Sequence, residues 1–155
     1  MSRRGEIKLG ETEQRELLES ERVVVVASQG TNGWPHLMPL WYVLRDGEVW
    51  VYTYAKSQKV RNLERDPKAT LLIETGHEYA ELRGVMIEAH AEISRDHELV
   101  FEVAKQLTLR YADGLSSIEG DAAEALRAQA RKRVAIRFSA QRTASWDHRK
   151  LGGTY

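Results

Sequence analysis

Between Val85 and Ile93 the chain alternates cleanly: Val85, Ile87, Ala89, Ala91 and Ile93 fall on one face, and Met86, Glu88, His90 and Glu92 on the other. A period of two places side chains on opposite sides of a strand, so this segment predicts one wall of an antiparallel sheet with a core face and a polar face. Arg22 to Ser28 is a β-branched run too short for a helix and predicts a buried strand. Asn32-Gly33 supplies turn chemistry, so the next strand, Pro35 to Leu44, should return as a hairpin. Asp46-Gly47 turns again into Val49 to Tyr54, which completes a meander. Ala69 to Glu74 predicts a fourth strand, and Arg133 to Ser145 opens as another, with Val134, Ile136 and Phe138 inward.

Helical spacing is confined to shorter stretches. Thr12 can cap a first helix ending near Ser20, with Leu17 and Leu18 inward. Ser57 to Asp66 predicts a second, stopped by Pro67. Asp96 opens a third, carrying Leu99, Val100, Val103 and Leu107, and Asp121 to Lys132 predicts a fourth. The tail from Trp146 to Tyr155 follows neither period. Some six strands interrupted by helices fit an antiparallel barrel decorated by helices, a mainly β, α+β fold.

At 155 residues the chain reads as one domain, 1–155. Lys plus Arg equals Asp plus Glu at 23 each, which argues against a nucleic-acid binder. There is no cysteine, so disulfides, thiol nucleophiles and thiolate metal sites are excluded together. The five histidines lack metal-ligand spacing, and no metal site is expected. The start lacks the apolar core of a signal peptide, and the longest strongly apolar run is Val23 to Ala27; the expected location is the cytoplasm, with no membrane partner.

Nucleophile-elbow, phosphate-loop and dinucleotide motifs are all missing. Two segments carry the candidate chemistry. In Tyr52 to Pro67, an aromatic strand runs into a helix whose opening turn holds Lys56, Ser57, Gln58 and Lys59. Helix N-termini present unpaired N–H groups and partial positive charge, so this turn suits a phosphate; an ordinary Ser-capped helix with solvated lysines is the alternative. In Trp34 to Tyr42, Pro39 sits inside a strand that closes on Trp41 and Tyr42. Proline there marks either a blocked sheet edge or backbone facing a ligand, and both readings stand. Trp146 has too much apolar surface to stay wet, and a partner subunit is one place for it.

Taken together, Gly33-Trp-Pro-His36, Met38-Pro-Leu-Trp-Tyr42, Ala55 to Pro67, Leu82 to Glu88 and Ser145 to Gly152 resemble the pyridoxamine 5'-phosphate oxidase-like split-barrel family. Within it they resemble most the deazaflavin (coenzyme F420)-dependent reductases often called FDOR-B. The resemblance implies a six-stranded split barrel of the FMN-binding type, forming a homodimer with cofactor sites at the subunit interface. It implies a cofactor phosphate on Lys56, Ser57, Gln58 and Lys59 with Asn62 nearby. The ring would lie along Met38, Pro39, Leu40 and Trp41, with Trp146 closing the site from the partner subunit.

Met38 stands where FMN-using oxidases carry arginine, and Ser57-Gln58-Lys59 replaces their Ser-Arg-Lys. Losing two phosphate-directed arginines speaks against pyridoxamine phosphate oxidation and tilts the cofactor toward the deazaflavin, with FMN the alternative. The implied activity is hydride transfer between coenzyme F420 and a small electron-poor organic acceptor. The alternatives are an FMN-dependent oxidoreductase and a non-catalytic flavin- or haem-binding protein. Tyr42, His36 and water are the candidate proton donors.

Overall fold

The computed structural model describes residues 3–152. Strands β1 (Val24–Gln29), β2 (Pro35–Leu40), β3 (Tyr42–Arg45), β4 (Glu48–Tyr54), β5 (Lys68–Thr75), β6 (Arg83–Ser94) and β7 (Arg133–Asp147) form one antiparallel sheet in the order β2-β1-β5-β6-β7-β4-β3. The α-helices are α1 (Arg3–Glu6), α2 (Glu11–Ser20), α3 (Gln58–Arg65), α4 (His97–Tyr111) and α5 (Gly120–Ala130).

The sheet must curl. β2 and β3 are its two edge strands, yet only Trp41 separates Leu40 from Tyr42 in the chain. The two edges therefore meet at Trp41, and the sheet closes there into a split barrel. The single strand expected from Pro35 to Leu44 is real as a path but changes partner at this residue, pairing with β1 before it and with β4 after it. That exchange makes seven strands of the expected six. Pro39 lies in edge strand β2, where a missing ladder donor costs least.

β6 and β7 form the long wall, and their register shifts between Glu88 and Ala89, so that Gln141 is the extra residue on β7. A bulge of this kind bends both strands and sharpens the curl. The polar face of β6 carries cross-strand ion pairs, Glu88 with Arg142 and Glu92 with Arg137. The hairpin turn before β4 is Asp46 and Gly47 with φ of 51° and 78°, the left-handed pair that matches strand twist.

Inside the barrel, Val24, Val26, Val51, Leu71, Ile73, Val85, Val134, Ile136 and Phe138 make the main core. α2 contributes Leu17, and α3 contributes Val60 and Leu63. A second apolar layer lies outside the sheet, where α4 and α5 cover Val43, Trp50, Tyr52 and Ala135. The first long helix is capped two residues before Thr12: Gly10 is its cap, and Glu13 Oε2 accepts from the Gly10 N–H. β7 runs two residues past Ser145, so Trp146 and Asp147 belong to the sheet. The last expected tail residues, 153–155, lie outside the described residues.

Candidate functional site

Polar burial is concentrated at one place. Among the described residues the buried polar or charged side chains are Ser28, Thr53, Lys59, Asn62 and Asp147, and the first four form a cluster. Ser28 and Thr53 take inward positions on β1 and β4 that otherwise hold valine. Opposite them, the amphipathic turn of α3 points Lys59, Val60, Asn62 and Leu63 inward. Asn62 Nδ2 donates to Ser28 Oγ at 3.1 Å, and Gln58 Nε2 donates to Asn62 Oδ1 at 2.9 Å. Lys59 Nζ donates to Thr53 Oγ1 at 3.0 Å.

The balance of this cluster is one of donors without an anion. Lys59 is 7% exposed, and among the described residues no carboxylate pairs with it. An ammonium has three donors, and a hydroxyl uses one of them. Burial alone lowers its pKa below the ordinary lysine value. Ser57 occupies the cap position of α3 with extended backbone, yet its hydroxyl makes no capping bond. Its Oγ is buried and has no partner. The expected capping hydroxyl is thus a free one.

His36 joins the cluster through the sheet. It is the cross-strand partner of Ser28, and directly paired residues share a face. His36 Nδ1 is buried without a partner. Lys56 stands exposed beside this mouth of the barrel. Along the adjoining edge strand, Leu37 and Met38 are exposed, and Trp41 is 58% exposed although its ring stacks on Tyr111 at 4.4 Å. Leu40 instead packs against the main core.

Two expected site residues lie elsewhere. The Tyr42 side chain is completely buried, and its hydroxyl donates to the carbonyls of Leu18 at 2.5 Å and Glu21 at 3.0 Å. Burial pushes its pKa up to about 12. Tyr42 fastens α2 to the barrel and has no proton free for a ligand. Trp146 pairs with Gly84 near the far end of β7, whereas the cluster adjoins β7 at its start, where Val134 pairs with Thr53. Within one subunit Trp146 packs on Gly84, and the structure does not bring it to Lys59.

Ser28 and Thr53 were missed in the sequence, although each is a polar residue at an inward position of a strand, which is a readable signal. Among the described residues no cluster of three His, Asp or Glu is placed to hold a metal, and no helix is long and apolar enough to cross a membrane.

A sequence model of the pyridoxamine 5'-phosphate oxidase family matches residues 11–147, nearly the whole chain. The protein belongs to that family. Its fold and sequence are similar to those of the conserved hypothetical protein Rv2991 from Mycobacterium tuberculosis, at 39% identity over 98% of this chain and 93% of that one, with a TM-score of 0.88. The fold alone is also like that of an F420 reductase, at 19% identity, covering 84% of this chain and 96% of that one, with a TM-score of 0.64. It is equally like that of HutZ, the haem storage protein from Vibrio cholerae, at 19% identity, covering 88% and 94%, with a TM-score of 0.67. No curated protein matches the chain. Family membership thus carries the split barrel, and the particular cofactor has to be argued from the residues.

Proposed function

We propose that this protein is an oxidoreductase that binds coenzyme F420 and moves a hydride between it and a small electron-poor organic acceptor. The observation that carries the reading is Lys59, a buried cation with no counter-ion among the described residues, two positions after the unpartnered Ser57 hydroxyl at the start of α3. Burying an unpaired charge is costly, so such an arrangement favours an anion that arrives from outside. Lys59, Ser57 and the α3 N-terminus fit a phosphate, with Gln58, Asn62 and Lys56 around it. The exposed apolar strip of Met38, Pro39 and Trp41 fits a flat ring.

Met38 and Gln58 bear on which ring system this is. Neither can supply the second and third positive charges of an FMN-oxidase phosphate site, which favours the deazaflavin over FMN. Once bound, the reduced deazaflavin supplies the hydride. The chain's own residues position it, exclude water and move the proton that accompanies reduction of the acceptor. His36, with its free buried nitrogen, is the side chain left for that proton once Tyr42 is committed to the backbone. The site is completed in a homodimer, in which the partner's Trp146 closes over the ring.

Titration of the purified protein with coenzyme F420, and separately with FMN, tests this by cofactor fluorescence. Tight deazaflavin binding with FMN much weaker supports it. Preference for FMN would make the protein a flavin oxidoreductase, and binding of neither would sink the redox reading. Bound F420 that no electron-poor acceptor can reoxidise would instead favour a storage role.

A further inference from the structure

A cavity lies on the other side of β4 from the Lys59 cluster. Alternation along β4 sends Thr53 inward and Tyr52 outward, under the cover of α4 and α5. There a cleft of about 480 Å³ opens between the Pro39–Trp41 segment, β4 and the two helices. Its size is that of a small-molecule site. Leu40, Trp41, Leu107, Tyr111 and Leu126 make an apolar, partly aromatic lining. Trp41 and Tyr111 stack nearly parallel, at 11° and 4.4 Å between ring centres, so each covers one face of the other and the stack meets the cleft as a single aromatic body.

The polar groups of the cleft share one character. None of the lining residues is Asp or Glu. Thr108 is occupied, donating to the Ala104 carbonyl, and the Tyr111 hydroxyl is taken up by the Arg22 and Tyr42 carbonyls. The Gln129 amide also lines the cleft, and two further groups are left unspent. The Tyr52 hydroxyl is buried with no hydrogen-bond partner. The Arg133 guanidinium lies 4.8 Å from the Tyr52 ring centre and 3.9 Å from that of Tyr54, and no carboxylate pairs with it among the described residues. Cation–π contact with two rings fixes the position of the guanidinium but leaves its N–H groups for an acceptor. Burial raises the Tyr52 pKa above the ordinary tyrosine value, so at neutral pH the phenol is a donor.

We propose that this cleft binds a planar conjugated carboxylate, its ring against the Trp41–Tyr111 stack and the apolar lining, and its carboxylate on Arg133 and the Tyr52 hydroxyl. The cleft and the strip assigned to the cofactor ring share Pro39 and Trp41, so a molecule seated here lies next to that ring. That this molecule is the hydride acceptor rests on the function proposed above; the binding itself does not.

The probe is 2-naphthoate, titrated by calorimetry into the protein without cofactor, beside its uncharged counterpart 2-naphthamide. The expected result is saturable binding of 2-naphthoate, tighter than the amide by about tenfold or more, because a charge-assisted pair is lost with the carboxylate. Arg133→Met should erase that preference. Tyr52→Phe, which keeps the ring under Arg133, should weaken the carboxylate and leave the amide nearly unchanged. Lys59→Met should bind 2-naphthoate as the wild type does while losing the cofactor, so failure of the cofactor assignment is separable from failure of this one. No binding by the wild-type protein, or an undiminished carboxylate preference in folded Arg133→Met and Tyr52→Phe, would overturn the proposal.

Discussion

At the scale of single residues, Lys59 sets stability against binding. A lysine whose folded pKa lies below its unfolded value binds its proton less well in the native state. The unfolded chain then holds more protons across the window from the lowered pKa up to the ordinary lysine value, and stability rises with pH through that window. Below it, the buried charge is a net cost. Lys59→Met should therefore leave the cofactor-free protein at least as stable as wild type by thermal melting, with the rise in stability on the alkaline side diminished. The same variant should lose about tenfold or more in affinity for a phosphorylated cofactor, a charged contact being worth about 1.5–3 kcal/mol. A clear fall in melting temperature would mean that Lys59 serves the fold. Tyr42 is the opposite case. Beside Trp41 it looks like part of a site, but its partners, Leu18, Glu21, Arg110 and Tyr111, come from α2, its C-terminal end and α4, and no local pattern announces them.

Among the elements, the alternation of β6, the β1 run and the Asp46-Gly47 turn were legible because each depends on local geometry. The helix opened by Asp96 was legible for the same reason: its carboxylate accepts from the Leu99 N–H at 2.8 Å. The exchange of partners at Trp41 was not. Pro35 to Leu44 keeps a strand-like composition throughout, and only the closure of the whole sheet breaks it in two. α4 holds that junction. Arg110 donates to the carbonyls of Tyr42 at 2.6 Å, Leu18 at 3.2 Å, Glu19 at 2.9 Å and Glu21 at 2.7 Å. It satisfies the open end of α2 and the start of β3 together, and its charge suits a helix C-terminus. Arg110→Met should cost about 2–4 kcal/mol, since several carbonyls lose a partner at once. A melting temperature unchanged from wild type would contradict this role. At the far end of β7, Gly84 makes room for the Trp146 indole: a Cβ there would stand 2.5 Å from Trp146 Cζ2. Gly84→Ala should displace the indole, at about 1–3 kcal/mol, with a shift in tryptophan emission. Unaltered emission and stability would show that the contact is slack.

For the molecule as a whole, the barrel was readable from strand count and turns, and family membership agrees with it. The candidate site was readable only in part. Gln58, Asn62 and Ser28 form one hydrogen-bonded chain with His36 paired across from Ser28, while Lys59 meets Thr53 on β4 and Ser57 stands at the start of the same helix. The meeting of Tyr52 with Arg133 is not legible in the sequence, because it depends on the register of β4 against β7, which the pattern of either strand alone does not fix. Several large apolar side chains stand exposed. Trp34 is 74% exposed, Leu37 57%, Trp41 58% and Tyr54 57%. So much exposed apolar surface, part of it on an open strand edge, fits the proposed homodimer. Sedimentation should give twice the chain mass, and Leu37→Asp should shift it toward monomer; a wild-type monomer at micromolar concentration would speak against the shared site.

The most direct measurement is the fluorescence titration of wild-type and Lys59→Met protein with coenzyme F420, with FMN in parallel. Micromolar or tighter F420 binding by the wild type, weaker FMN binding, and a loss of about tenfold or more in Lys59→Met are the predicted results. F420 binding that is undiminished in Lys59→Met, or that is absent from the wild type, would contradict the assignment of this buried cation to the cofactor phosphate.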